Sequence, residues 1–249
     1  MPSLRVARLK TVDSTNAEAM RRAQAGEHGP LWILADAQTA GRGRSGRSWS
    51  SEAGNLYASL LVTLAAPQPK AYQLALVAGV AVYDAVRLAL DPPPPGLLLK
   101  WPNDILIDGS KVGGILIESS ATPARLSAVI GIGLNVASCP TLPERTATCL
   151  AAHGYPQEPD ALLREVGHAM DGWLGRWDEG RGFPLVREAW LMRAHPLGER
   201  LSITAGPERV AGIFRGLDPE GALLLETGGD IRPFTFGDVT LFSARAAPV

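Results

Sequence analysis

The stretch from Gly41 to Trp49, GRGRSGRSW, mixes three glycines with three arginines, a composition suited to binding an anion. Its first six residues match G-x-G-x-x-G, the pattern of dinucleotide-binding loops. Guanidinium groups and glycine backbone N–H groups both favour phosphate or carboxylate ligands. The chemistry to weigh is therefore phosphate binding, a nucleic-acid contact, or an ordinary solvated turn.

The dinucleotide interpretation fails on what flanks the loop. Such a loop leaves a strand and opens a helix, with an acidic residue about 20 positions further on. Here SSEAGN and a second strand pattern follow Trp49, and the position for the acid falls in AAPQPK, which has no carboxylate. The phosphate-loop pattern G-x-x-x-x-G-K-S/T and the kinase motifs are also missing from the sequence.

Nucleic-acid binding is disfavoured because the three arginines are not joined by other basic clusters in a chain of net charge -1. A solvated turn is the plain alternative for isolated arginines. However, glycine loses more backbone entropy on folding than other residues, so ordering this loop favours a partner. We expect an anionic ligand.

Two lysine motifs further along the chain add to this site. KWPND, residues 100–104, ends a strand with Lys100, Asn103 and Asp104, which suit phosphate and magnesium or a turn that satisfies its own backbone. KVGGILIE places Lys111 beside two glycines within a strand, where glycine often marks close approach of a ligand.

The segment GIGLNV ends a core strand with Asn135. An amide that emerges there is either a ligand contact or a cap.

Hydrophobic periodicity predicts the elements that must position these residues. A helix is predicted over DSTNAEAMRRAQAG, with Thr15 and Glu18 as a capping box and Gly26 at its end. The other predicted elements are strands at 31–37, 55–64 and 126–136, a helix at 71–90, a hairpin turning at Asp108-Gly109, and two helices between 160 and 192 that separate near 180–184.

After Pro196 the pattern changes to short β-type runs, RLSITAG, RVAGIFRGL, ALLLET and VTLF, joined by turns rich in glycine and aspartate. This predicts a small barrel of about 50 residues appended to a mixed α+β domain. We expect the α+β domain over residues 1–195 and the barrel over 196–245.

The 249 residues are 46% hydrophobic and 20% charged, as in ordinary globular proteins. No apolar run approaches the roughly 20 residues that span a bilayer, and the N-terminus has no apolar signal core, so we expect a cytoplasmic protein without membrane contact. Cys139 and Cys149 lack the spacing of a zinc site or a disulfide framework.

In this order, DSTN, QTAGRGRSGRSW, KWPND, KVGGILIE and GIGLNV resemble the biotin protein ligases, also called biotin-[acetyl-CoA-carboxylase] ligases. The resemblance implies a mixed sheet with flanking helices, like the catalytic domain of class II aminoacyl-tRNA synthetases, and an SH3-like C-terminal barrel. It also implies that ATP and Mg²⁺ activate biotin to biotinyl-5'-AMP, and that biotin then passes to a lysine of a biotin carboxyl carrier protein.

The resemblance assigns roles residue by residue. Lys111, Arg42 and Arg44 are the implied catalytic residues, and Asp104 is the implied metal ligand. The implied biotin-binding residues are Ser14, Thr15, Asn16, Gln38, Gly41, Arg42, Gly43, Arg44, Lys111 and Gly114. The implied ATP-binding residues are Arg44, Arg47, Trp49, Lys100, Asn103, Asp104, Lys111 and Asn135.

The sequence departs from the family pattern in three places. Only 13 residues precede Ser14, too few for the DNA-binding domain of family members that repress transcription, so we expect no specific DNA binding. Ser45 stands where many members have arginine, and residues 138–150 carry no aromatic side chain to stack on adenine.

The alternatives are a lipoate or octanoate ligase or transferase of the same architecture, and a non-catalytic biotin-binding or RNA-binding module on the same scaffold. A homodimer formed through an exposed sheet edge also stays open.

Overall fold

The computed structural model describes residues 4–65, 72–90, 92–121, 126–141 and 146–242. A seven-stranded mixed sheet forms the first part of the chain, in the spatial order β1-β2-β3-β7-β6-β5-β4. Only β1 and β2 run parallel among these paired strands. The strands are β1 Val6–Val12, β2 Leu31–Gln38, β3 Leu56–Leu64, β4 Leu98–Lys100, β5 Asp104–Ile107, β6 Ser110–Ala121 and β7 Leu126–Leu134.

Four helices cover this sheet: α1 Thr15–Gln24, α2 Gln73–Ala89, α3 Pro159–Trp177 and α4 Phe183–Leu191. The main hydrophobic core joins α2, α3 and α4 to one sheet face, where α2 buries a nearly continuous run of small and branched apolar residues. A smaller cluster joins Ala19 of α1 to Leu61 of β3 and Val129 of β7. Because side chains alternate across a strand, α1 covers the opposite face.

A five-stranded antiparallel sheet, here called the C-terminal sheet, follows in the order β11-β10-β9-β8-β12. Its strands are β8 Arg200–Ala205, β9 Glu208–Leu217, β10 Leu223–Thr227, β11 Asp230–Phe234 and β12 Asp238–Leu241. The predicted α+β class with a separate C-terminal β unit is thus confirmed. The predicted end of that unit, residue 245, lies outside the described residues.

The predicted capping box at the start of α1 is wrong. Ser14, not Thr15, is the N-cap, and its side chain accepts the N–H of Ala17 at 3.5 Å. The carboxylate of Glu18 bonds to Arg21 and Arg22 instead of turning back to the helix start. This leaves the Thr15 hydroxyl to bond outside the helix, which matters for the site below.

Two strands were not predicted. β1 has an exposed or half-buried side chain at every position because it is an edge strand, so it lacks the apolar pattern of the buried strands. β11 contains Pro233 and exposes its first four residues at the other sheet's edge. The predicted helix at 71–90 forms from Gln73, and residue 71 lies outside the described residues.

No helix within the described ranges is long and apolar enough to cross a membrane.

Asn55 fixes the chain where it leaves β7. Its buried carboxamide oxygen accepts the N–H groups of Val136, Ala137 and Ser138 at 2.8, 2.9 and 3.2 Å, and its amide donates to the Ser138 carbonyl. One side chain therefore satisfies three consecutive backbone donors next to the sheet.

We predict that Asn55→Ala lowers the free energy of unfolding by about 3 kcal/mol, because buried backbone donors lose their acceptor. Urea unfolding followed by circular dichroism measures the change. Ser138→Ala is the matched control, since its hydroxyl makes only 3.4 Å contacts, with Asn55 and Glu52, and it should change stability by under about 1 kcal/mol. Equal effects of the two variants would contradict this role for Asn55.

Candidate active site

Alternate glycines on β7 open a trough on the sheet face that carries α1. Ile130 and Ile132 point into the main core, so Gly131 and Gly133 lie on the opposite face. Gly133 aligns with Gly114 of β6, which adds a third position without a side chain. The neighbouring strands supply backbone and short side chains here, and a ligand can approach the sheet closely.

The trough is the floor of a cavity of about 630 Å³, a size typical of small-molecule sites. The lining residues come from α1, β2, the loop before β3, the β5–β6 hairpin, β7 and the start of β12. They are Ser14, Thr15, Asn16, Gln38, Arg42, Gly43, Arg44, Arg47, Ser48, Trp49, Tyr57, Asn103, Asp104, Lys111, Gly114, Ile115, Leu116, Gly131, Ile132, Gly133 and Asp238.

A cluster of polar side chains lies over Gly131. The Ser59 hydroxyl is 2.7 Å from the Thr15 hydroxyl and 2.6 Å from the Asn16 carboxamide oxygen. Asn16 donates to the Glu118 carboxylate at 2.7 Å, and Gln38 accepts the backbone N–H of Thr15 at 2.8 Å. A Cβ at position 131 would collide with Asn16, so glycine is required for this amide to reach the sheet.

The indole of Trp49 lies over Gly133, where a Cβ would come within 2.7–2.9 Å of its ring atoms. Gly131 and Gly133 are one same-face step apart, about 7 Å along the strand. The polar cluster and the tryptophan therefore occupy neighbouring places on one trough.

A β-bulge aims Lys111 into the cavity. The pairing of β5 with β6 shifts register between Ile105 and Leu106, so that Lys111 and Gly114 share a face although they are three positions apart, an odd number. The Lys111 ammonium lies 5.3 Å from the centroid of the Trp49 ring, a cation–π distance. It also lies 2.5 Å from Oδ1 of Asp104.

Asp104 holds two ammonium groups at once. Lys100 approaches its Oδ2 at 3.1 Å, while Lys111 binds Oδ1. Burial by itself raises the pKa of the Asp104 carboxyl, but the charges of Lys111 and Lys100 outweigh it, and the pKa falls below its ordinary value. Asp104 is thus a carboxylate that keeps two cations beside the trough.

The residues from Gly41 to Trp49, here called the arginine loop, fold as a tight turn on top of the cavity. Arg42 pairs with Ser48, Gly43 donates its N–H to the Arg47 carbonyl at 2.7 Å, and Trp49 donates to Gly41 at 2.9 Å. A single 3₁₀ turn interrupts it, with Ser45 at φ 55°. β3 follows, which confirms that the helix required by a dinucleotide loop is missing here.

Each arginine of the loop contacts an acidic or polar partner. Arg42 lies 3.3 Å from the Glu118 carboxylate, and Arg44 donates to the Asn103 amide oxygen at 3.1 Å. Arg47 donates through two nitrogens to the two carboxylate oxygens of Asp238, at 2.9 and 3.0 Å. The loop therefore contacts both the first sheet and the C-terminal sheet.

Comparison with known proteins shows which family the chain belongs to. Residues 8–135 match the Biotin/lipoate A/B protein ligase family, and residues 197–241 match the Biotin protein ligase C terminal domain. The chain belongs to the biotin/lipoate protein ligase family. The resemblance inferred from the motifs, and the prediction of a biotin protein ligase, are confirmed.

Individual biotin ligases resemble the chain along most of its length. A biotin--[acetyl-CoA-carboxylase] ligase of Paracoccus denitrificans is 41% identical over 87% of this chain and 92% of its own. A Mycobacterium tuberculosis ligase of the same name is 34% identical over 91% and 85%. The biotin protein ligase from Aquifex aeolicus in complex with biotin and ATP superposes with a TM-score of 0.77, at 30% identity, over 96% and 98%.

Most residues predicted for the ligase site line the cavity, and three do not. Gly41 is buried beside the cavity, where a Cβ would lie 2.6 Å from the Trp49 carbonyl oxygen. Lys100 contacts Asp104 and the Val239 carbonyl behind the lining. Asn135 is buried away from the lining, and its amide donates to the Thr148 carbonyl at 3.0 Å, as a structural cap would.

The sequence analysis missed several residues that line the cavity or bond to side chains that line it. The glycines at 131 and 133 had a usable signal, since glycine at alternate strand positions leaves one face bare. Ser59 and Tyr57 had none beyond their place on the same face of β3. Glu118 and Asp238 are recognisable only once their arginine partners are known.

We predict that Asp104→Asn destabilises the protein by about 3 kcal/mol at pH 7, because two partly buried ammonium groups lose their counter-charge. The pKa of the Asp104 carboxyl is lower in the folded protein than in the unfolded chain, where it is near 3.9, so the ionised carboxylate stabilises the fold above that pH. This stabilisation is lost as the pH falls through the folded pKa. Urea unfolding across pH 7 to 3 should therefore show a constant difference from the parent down to about pH 5, shrinking below about pH 4. A difference that stays the same at pH 3 would count against the pairing.

Proposed function

We propose that this chain activates biotin with ATP to biotinyl-5'-AMP and transfers biotin to a lysine of a biotin carboxyl carrier protein. The observation that carries the proposal is the pairing, on one trough, of amide and hydroxyl groups from Asn16, Thr15 and Ser59 with cationic side chains one strand step away. The names of the ligases from Paracoccus and Mycobacterium, and the biotin and ATP bound in the Aquifex enzyme, support the same substrates.

The two clusters suit the two ends of biotin. Its ureido ring offers N–H donors and a carbonyl acceptor, which the Asn16 amide and the hydroxyls of Thr15 and Ser59 can bind. Its valeryl tail would follow the glycine-lined floor below Trp49. Its carboxylate would then meet Lys111, while the Trp49 indole N–H, which has no acceptor among the described residues, is available to a ligand oxygen.

The first step needs positioned charge and no protein nucleophile. A biotin carboxylate oxygen attacks the α-phosphorus of ATP, the phosphorus–oxygen bond to pyrophosphate breaks, and biotinyl-5'-AMP remains. Two anions have to meet, so the rate depends on cations fixed before the substrates arrive. We assign Lys111 to the carboxylate and α-phosphate, and Arg44 with Arg42 to the adenylate and the closed loop.

In the second step the carrier lysine amine, in its neutral form, attacks the acyl carbon and AMP leaves with its bonding pair. Water would hydrolyse the same mixed anhydride. The arginine loop covers the trough, and we propose that it excludes solvent until the carrier arrives.

Magnesium binding by Asp104 does not fit the site. Both carboxylate oxygens of Asp104 contact lysine, and the described residues contain no group of three or more His, Cys, Asp or Glu that could hold a metal. Mg²⁺ commonly keeps several waters and binds substrate phosphates. The proposed mechanism therefore assigns no role to a metal held by Asp104.

Exchange of labelled pyrophosphate into ATP tests the function. We expect exchange that requires biotin and is not supported by lipoate, because the Asn16 cluster offers partners for a ureido group that lipoate lacks. Adding a biotin carboxyl carrier domain should then lead to attachment of biotin to one lysine of that domain. A folded sample that exchanges with lipoate alone would favour the lipoate ligase alternative, and no exchange with either acid would refute the activation step.

Lys111→Ala should lower the biotin-dependent exchange rate by about 100- to 1,000-fold, because a positioned positive charge is lost where negative charge gathers. Lys10→Ala, which removes an exposed lysine on edge strand β1, is the matched control and should exchange at the parent rate. Circular dichroism spectra establish that both variants fold. Exchange by the Lys111 variant within about twofold of the parent would remove Lys111 from the proposed mechanism.

A further inference from the structure

The C-terminal sheet contacts the arginine loop at the start of β12. Arg47 makes its two-nitrogen bond to the Asp238 carboxylate, at 2.9 and 3.0 Å. Arg44 donates to the Gly237 carbonyl at 3.0 Å, and its guanidinium also lies 3.6 Å from Asp238. A paired guanidinium–carboxylate geometry of this kind adds directional specificity as well as attraction.

The backbone that presents Asp238 is fixed. Asp238 pairs with Thr204 of β8, and Gly237 before it has φ 140°, a value that favours glycine. A Cβ on Gly237 would come within 2.8 Å of Ile203 and 2.9 Å of the Thr204 carbonyl oxygen. The carboxylate therefore projects from an ordered strand end, not from a free loop.

The C-terminal sheet reaches this position without help from the arginine loop. The Trp101 indole donates to the Gly221 carbonyl at 3.1 Å, and Arg187 donates to the Leu217 carbonyl at 2.8 Å. Lys100 also donates to the Val239 carbonyl at 3.3 Å. Because these contacts hold the sheet against β4 and α4, Asp238 is an anchor to which the loop attaches.

Besides the contacts of Arg42 with Glu118 and of Arg44 with Asn103, the loop is held by this anchor on the C-terminal sheet. Its three guanidinium groups repel one another, and its glycines favour the unfolded ensemble. Its backbone bonds close the turn on itself but do not tie it to the trough. Trp49 and Ser48, which line the cavity, follow Arg47 directly, so a fixed Arg47 also fixes this part of the cavity wall.

We propose that Asp238 is a positioning residue of the C-terminal sheet, which holds the arginine loop over the trough through Arg47 and so retains the adenylated intermediate. The part that concerns the intermediate rests on the function proposed above. The part that concerns the loop does not, and the experiments separate the two.

Trypsin cleavage without substrates tests the loop, since Arg42, Arg44 and Arg47 are themselves cleavage sites. We expect Asp238→Asn to be cut within residues 42–48 about tenfold faster than the parent. This corresponds to a free energy of loop opening that is lower by about 1.4 kcal/mol. Asp238→Glu, which keeps the charge, should stay within about threefold of the parent. Glu208→Gln removes a carboxylate that pairs with Arg232 in the same sheet and should not change the rate.

Release of labelled biotinyl-5'-AMP from preloaded protein tests retention. Asp238→Asn and Arg47→Ala should each release it about tenfold faster, and each should raise the KM for biotin by a larger factor than it lowers the kcat of pyrophosphate exchange. The double variant should release it no faster than either single variant, because both act through one contact.

The outcomes are distinct. Parent-like cleavage of Asp238→Asn would overturn the anchoring role, as would a lower KM for ATP in that variant, which would mean that Asp238 competes with phosphate for the arginines. A parent protein without biotin-dependent exchange would refute the proposed function while leaving the cleavage result to stand. Thermal melts within a few degrees of the parent exclude general unfolding of the variants as the cause.

Discussion

The site depends on a bare strip of sheet surface. On β7, isoleucine and glycine alternate, so that one face packs into the core while the other presents backbone. Any Cβ at Gly131 or Gly133 would displace the Asn16 amide or the Trp49 indole. The close fit of these two side chains to the sheet sets the depth of the trough and the spacing between its polar and cationic parts.

Charge compensation is the second constraint. Several cations lie around one cavity, and mutual repulsion would scatter them if each lacked a nearby carboxylate. Asp104 neutralises the two lysines, Glu118 neutralises Arg42, and Asp238 neutralises Arg47. An arriving anion then meets cations whose positions are already set, which lowers the reorganisation needed during reaction. Asp104 and Glu118 come from the β5–β6 hairpin and Asp238 from the start of β12, so both sheets contribute counter-charges to the site.

The sequence predicts which residues form the site better than it predicts the hydrogen bonds and ion pairs among them. The glycines of KVGGILIE predict that Lys111 lies where a ligand approaches, and the structure places it at the cavity, but only through a bulge that no local sequence pattern predicts. The sequence pattern predicts a helix cap at Thr15, whereas Ser14 has that role and the Thr15 hydroxyl belongs to the cluster around Ser59. Asn135 reads equally well as a ligand contact or a cap, and its bond to Thr148 favours the cap. In each case the deciding partner lies far away in the sequence or on another strand.

The sequence by itself determined the succession of buried strands and helices, the turn at Asp108-Gly109, the β-rich C-terminal unit and the order of motifs that indicates a biotin ligase. These follow from local periodicity, turn chemistry and residue order, which are written along the chain. Only the tertiary structure decided the edge strand β1, the aim of Lys111, the two lysines on Asp104 and the contact between Arg47 and Asp238. That last pair is 191 residues apart in sequence, and such contacts form because two sheets pack together, which residue order alone does not specify.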